Sequence, residues 1–182
     1  MSNELVKIMP IEMSFADTQN LGAILVKSGY FQDARDAAQA IVKVLAGREI
    51  GIPSIASMTG CRIIKGNPTW SANVLAALVK RSGKYNYHVK EMSPTICCIT
   101  FTENGELAGE SSFSLDDAKK AGTQNLDKFP RNMLFARALS NGVKWFCPDL
   151  TISAIYTPEE MGAFVDAETG EIIPTVDDPQ TE

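Results

Sequence analysis

Asn104-Gly105 constrains the fold more than any other feature of the chain. The pair separates residues 95–102 and 107–114, both rich in β-branched, aromatic or small side chains. Asn-Gly between such runs is the strongest short signal for a two-residue hairpin, because both turn positions take positive φ. A third β-rich run, residues 85–91, comes just before, so the middle of the chain reads as an antiparallel meander. Helical periods flank it. Phe15, Leu21, Ile24 and Leu25 mark a helix over 15–27, and Ala37, Ala38, Ile41, Val42 and Leu45 a second over 33–46, joined at Ser28-Gly29. Residues 48–53 break that helix, and Pro53 can start a short new one. Residues 62–65 read as a short strand ending in the turn Lys65-Gly66-Asn67-Pro68.

Thr69 or Ser71 then caps a helix to about Arg81, with Val74, Leu75, Leu78 and Val79 on its apolar face and Gly83 as its stop. A short helix over 116–121 is capped by Ser114 or Asp116 and closed by Gly122. Pro130 suits the first turn of a long helix through Trp145 or Phe146, which Pro148 ends. Helices, then a meander, then a helix predict an α+β domain over residues 1–161, in which an antiparallel hairpin and meander pack with helices on one sheet face. Residues 162–182 are acidic and poor in large apolar side chains, and are expected to form a disordered tail.

Several function classes drop out. No apolar run approaches the roughly 20 residues of a membrane span, and Met1-Ser2-Asn3-Glu4 lacks the basic start of a secretory signal. A cytoplasmic protein without a membrane partner is expected. Cys61, Cys97, Cys98 and Cys147 include no C-x-x-C pair, and with His88 as the only histidine they do not make a zinc ligand set, so the thiols read as reduced and structural and no cofactor or metal is expected. No phosphate loop of the G-x-x-x-x-G-K-[ST] type occurs, which argues against ATP hydrolysis. A small enzyme would have to use His88 or a thiol, and no nucleophile signature accompanies either.

Charge is segregated along the chain. Residues 1–60 carry 5 basic and 6 acidic side chains, residues 61–145 carry 12 and 7, and residues 146–182 carry none and 9. A basic middle joined to an acidic end points to polyanion binding by the middle, with the end as a competitor, solubiliser or partner hook; a solvated surface accounts for the same count. Lys80, Arg81, Lys84 and Lys90 stand close to Tyr85 and Tyr87. Cations beside flat side chains hold single-stranded nucleic acid, the cations on phosphates and the rings against bases. Cations ending a helix also complement its dipole.

On the long helix, Arg137, Asn141 and Lys144 form one polar stripe that could follow a phosphate backbone. Arg131 in the first turn is disfavoured by the dipole unless a phosphate sits there, and Lys119, Lys120 and Lys128 lie just before it.

The order of whole blocks resembles a known family. Gly47-Arg48-Glu49-Ile50-Gly51-Ile52-Pro53, Ile64-Lys65-Gly66-Asn67-Pro68-Thr69-Trp70-Ser71-Ala72 and Leu78-Val79-Lys80-Arg81-Ser82-Gly83 resemble the core of the RecT/Redβ family of phage single-strand annealing proteins. Residues 113–122 (Phe113 to Gly122), 129–140 (Phe129 to Ser140), 145–149 (Trp145 to Asp149) and 156–160 (Tyr156 to Glu160) follow in the same order, so the resemblance covers about residues 15–161.

It implies a recombinase without ATPase activity, not an enzyme, that coats single-stranded DNA as a homo-oligomeric ring or helical filament and anneals it to a complementary strand during homologous recombination of phage or prophage DNA in a bacterial host. The implied partners are single-stranded DNA, the annealed duplex intermediate, and a phage exonuclease or the host single-strand binding protein. The resemblance supports Lys80, Arg81, Arg131 and Arg137 as backbone ligands most directly, and Lys65, Lys84, Lys119, Lys120, Lys128 and Lys144 as their neighbours. Asn141 completes the stripe, and Trp70, Tyr85 and Tyr87 are the candidates for base stacking. Where many relatives have a longer basic or helical C-terminal region, this sequence turns acidic. A module that protects single strands without annealing them is the alternative.

Overall fold

A computed structural model describes residues 13–64, 66–150, 156–158, 160–161, 164–165 and 172–173. The architecture is α+β, and the chain divides into two units, Met1–Thr59 and Gly60–Glu182.

The first unit is helical. Helix α1 (Phe15–Lys27) starts from a reciprocal cap, in which Ser14 Oγ accepts from the Asp17 N–H at 3.1 Å and the Asp17 carboxylate accepts from the Ser14 N–H. Helix α2 (Ala37–Glu49) begins later than its apolar spacing predicts. Asp36 takes the N-cap and accepts from the Gln39 N–H at 2.8 Å, which leaves residues 33–35 outside the helix. It also runs past Ala46, because Gly47 lies against Ser57 where a Cβ would overlap. Gly51, at φ +72°, turns the chain into α3 (Ser54–Gly60). Leu25, Ala40, Val44 and Met58 form the core of this unit. Lys43, only 1% exposed, is held by the Asp33 carboxylate at 2.5 Å and the Met58 carbonyl at 2.8 Å.

The second unit opens with a hairpin of β1 (Cys61–Ile64) and β2 (Asn67–Trp70), paired from Cys61 with Trp70 to Ile64 with Asn67. Asn67 and Pro68 are therefore strand residues and not the turn expected for them. Proline is tolerated in a strand with a free edge, where its missing N–H breaks no ladder. Thr69 is likewise a strand residue, its hydroxyl donating to the Arg62 carbonyl at 2.9 Å, and Ser71 alone caps α4 (Ala72–Arg81).

Strands β3 (Tyr85–Met92), β4 (Ile96–Glu103) and β5 (Glu106–Ser114) form the meander in the order β3-β4-β5. Asn104 and Gly105 take φ +51° and +87°, as the sequence requires. Helix α5 (Leu115–Lys120) is capped by Ser114, with the Asp117 carboxylate returning the bond, so Asp116 is not the cap. Helix α6 (Pro130–Phe146) has Pro130 in its first turn and lies on one face of the meander. Phe101 fills the space beside Gly142 and packs 5.7 Å from the Phe146 ring, while Ser111 Oγ donates to the Ala138 carbonyl at 2.8 Å.

A 3₁₀ turn (Pro148–Leu150) follows. Two residues of the acidic end, β6 (Phe164–Val165), pair antiparallel with β7 (Ile172–Ile173); the rest of the expected tail lies outside the described residues. Among the described residues no helix is long and apolar enough to cross a membrane.

Candidate nucleic-acid interface

All the candidate ligands belong to the second unit, and the structure sorts them by what already holds them. Lys80 leaves the last turn of α4 and folds back on β3. Its ammonium donates to the Asn86 side chain and, at 3.1 Å, to the Tyr87 carbonyl, and stands 4.7 Å from the centre of the Tyr87 ring. Arg81 beside it is exposed.

Lys84 is more firmly held. Its ammonium lies 2.9 Å from Glu103, 2.8 Å from Asp149 and 2.8 Å from the Tyr85 hydroxyl, which itself donates to Asp149. The Asp149 and Tyr85 bonds push the lysine above its ordinary pKa, and Lys84, followed by Tyr85, holds the Asp149 carboxyl below the usual carboxylate range. Burial, then Asp149, raises the Tyr85 phenol.

The α6 stripe is also engaged. Both Glu160 oxygens accept from the Lys144 ammonium at 2.8 Å, and Arg137 Nη1 lies 3.2 Å from the same carboxylate. The Arg137 guanidinium is stacked 5.0 Å from the centre of Phe113, and Lys144 stands 4.9 Å from that of Tyr156. Asn141, between them in the stripe, is half-buried.

Lys119, Lys120, Lys128 and Arg131 differ from these. All four are exposed, and among the described residues none is in an ion pair. They cluster along the chain, at the end of α5, in the connection, and in the first turn of α6. That helix start has no side-chain cap, because its N-cap is Phe129. Uncapped N–H groups beside exposed cations suit an anion. Lys65 lies outside the described residues.

The aromatic candidates need correction. Trp70 is 3% exposed and Tyr85 5%, so neither presents a free ring face to a base. Adjacency to cations, which singles out Tyr85, does not reveal that its hydroxyl is taken up by Asp149, and the block that contains Trp70 does not reveal that this ring is buried at the end of a hairpin strand. Tyr87 is half-buried, under Lys80 and 6.4 Å from Phe101. Trp145, which sequence reasoning assigned only to the helix end, is 59% exposed. The available signal was its place four residues after Asn141, on the flank of the polar stripe.

The meander face away from α6 carries Asn86, His88, Thr100, Thr102 and Ser112, all at least partly exposed, with Lys90 paired to Glu110 at 2.8 Å. The four cysteines are buried and form no disulfide. Burial raises Cys97 and Cys98 to about 11 and Cys147 to about 12. Among the described residues no group of three or more His, Cys, Asp or Glu side chains is placed to hold a metal ion.

Comparison with protein families, with curated proteins and with solved structures finds no match to the chain.

Proposed function

We propose that this protein binds single-stranded DNA and anneals it to a complementary strand without nucleotide hydrolysis, as its resemblance to RecT/Redβ proteins implies. The observation that carries the reading is the set of four exposed cations, Lys119, Lys120, Lys128 and Arg131, which follow one another along the chain from the end of α5 to the uncapped first turn of α6, with no ion pair among the described residues. Exposed cations outside ion pairs, in a chain of net charge −5, suit a phosphate backbone.

The cations hold one strand by its phosphates and leave its base edges free. A second strand is then sampled until enough pairs form. Each base-pair step contributes about 1.4 kcal/mol, so a short matched run outlasts thermal escape and a mismatched run does not. Pairing supplies specificity, and the protein supplies charge and order.

The helical unit supports assembly of many copies. Phe15, Ile24, Tyr30, Val42 and Ile55 are exposed on it, and Ile24, Tyr30 and Ile55 border an open groove of about 480 Å³. Large exposed apolar side chains in one small unit suit a self-association surface. A phage exonuclease or host single-strand binding protein remains a proposed partner on the resemblance alone.

Mixing two complementary labelled oligonucleotides with the protein, without ATP, tests the proposal. An annealing protein accelerates duplex formation. Binding without acceleration would leave a protective single-strand module, and neither binding nor acceleration would refute both.

A further inference from the structure

The Glu160 carboxylate has the surroundings of a bound phosphate. It accepts twice from Lys144, once from the Thr157 N–H at 3.0 Å, and lies 3.2 Å from Arg137, with its side chain 5% exposed. Among the described residues two cations face this one anion. Arg137 Nε, Ser140 Oγ and Thr157 Oγ1 are buried and have no hydrogen-bond partner among the described residues. Arg137, Ser140, Asn141 and Lys144 occupy one face of α6, at positions i, i+3, i+4 and i+7. A carboxylate offers two oxygens, as a backbone phosphodiester does, and the guanidinium fork accepts either.

The element that carries Glu160 is slight. Tyr156 is tied to the β1–β2 hairpin by the Trp70 N–H at 2.8 Å and by a single bridge to Thr69. Beyond it, one turn closes on the Thr157 carbonyl, which accepts from the Glu160 N–H at 3.1 Å and the Met161 N–H at 3.3 Å. Apart from the Glu160 ion pairs to α6, the backbone hydrogen bonds of this turn are made within it.

We infer that Glu160 is an internal stand-in for phosphate, occupying the Arg137–Lys144 stripe in the free protein and leaving it when a strand arrives. The inference rests on the single-strand binding proposed above and adds its regulation. Exchanging one anion for another keeps both cations paired throughout, and the released carboxylate regains water. The acidic competitor suggested by the charge count thereby acquires a named residue and a position.

Hydrogen exchange on the full-length chain, with and without oligothymidylate, tests this on the unmodified protein. The Glu160 and Met161 amides should exchange faster when the strand binds, the reverse of ordinary ligand protection. Glu160→Gln should in addition bind oligothymidylate at least about fivefold more tightly than wild type at moderate salt, the low end of ordinary coupling between two ligands. A melting curve of the variant separates weak binding from misfolding, and the exchange experiment does not depend on the variant. Unchanged or slower exchange at these amides while the wild type binds the strand would overturn the inference and leave Glu160 a structural ion-pair partner. If wild type shows no salt-sensitive affinity for oligothymidylate, the proposed function itself fails, and this inference with it.

Discussion

Replacing Lys119, Lys120, Lys128 and Arg131 together by glutamine removes four exposed candidate cations that are in no ion pair among the described residues. If each holds one phosphate of a single strand, the slope of log affinity against log salt should fall by about 0.7 per cation, or about 2.8 for four. Between 50 and 200 mM salt that slope corresponds to an affinity change of about fiftyfold, which the wild type loses and the variant does not. Lys84→Gln is the matched control. Lys84 is already paired with Glu103 and Asp149, so it is not expected to neutralise a phosphate or displace a counterion from the strand, and its replacement should change the slope by well under about 0.7. Fluorescence anisotropy of a labelled oligothymidylate across a salt series reads both. A fourfold variant with the wild-type slope, or a Lys84→Gln slope that falls as far as the fourfold one, would refute the assignment of free cations to the backbone.

Gly142→Ala should destabilise the protein, because the new Cβ would overlap the Phe101 ring in the seam between α6 and the meander; overpacking costs about 1–3 kcal/mol, against a helix-propensity gain of at most about 1 kcal/mol, and a raised melting temperature would contradict the packing. Asp149 has its carboxyl held below the ordinary range by Lys84 and Tyr85, so its stabilising effect is complete above the unfolded value of about 3.9 and is lost as the pH falls through the lower folded value. The melting-temperature gap between wild type and Asp149→Asn should therefore close only below about pH 4, and a gap undiminished well below that would tell against the cluster. The thiols of Cys97, Cys98 and Cys147 are buried and raised to about 11, 11 and 12, so iodoacetamide at mildly alkaline pH should modify them only after unfolding; rapid native labelling of any of the three would show that its strand or helix end opens.

The fold was legible wherever a local rule was decisive. Asn104-Gly105 permitted little besides a tight hairpin, Pro130 marked the first turn of α6, and the apolar spacing of 15–27 matched α1 from end to end. It was illegible where two local rules competed. Asn67-Pro68 carries every mark of a turn, yet pairing with Ile63 and Ile64 buries Thr69 and Trp70 and draws the proline into a strand. Residues 33–35 share the helical spacing of α2, but the Asp36 cap set the boundary. A single cap hydrogen bond, worth about 1 kcal/mol, outweighs what three residues at a frayed helix end could add.

The candidate site shows a sharper limit. Spacing placed Arg137, Asn141 and Lys144 on one stripe, and they are there. Spacing could not reveal that Glu160, 16 residues after Lys144, would pair with both Arg137 and Lys144, or that Asp149 and Glu103 would pair with Lys84. Charge counted along a chain measures supply, whereas binding depends on what tertiary pairing leaves over. Seven described lysines and arginines that look alike in sequence, among Lys80, Lys84, Lys119, Lys120, Lys128, Arg131 and Arg137, divide into three that are held by the protein and four that are not. An annealing protein has a use for both kinds. On the proposed function, cations outside ion pairs would draw a strand in from a distance with a strong dependence on salt, whereas Arg137 and Lys144 would engage only where a phosphate replaces Glu160, and Lys84 would stay with Glu103 and Asp149.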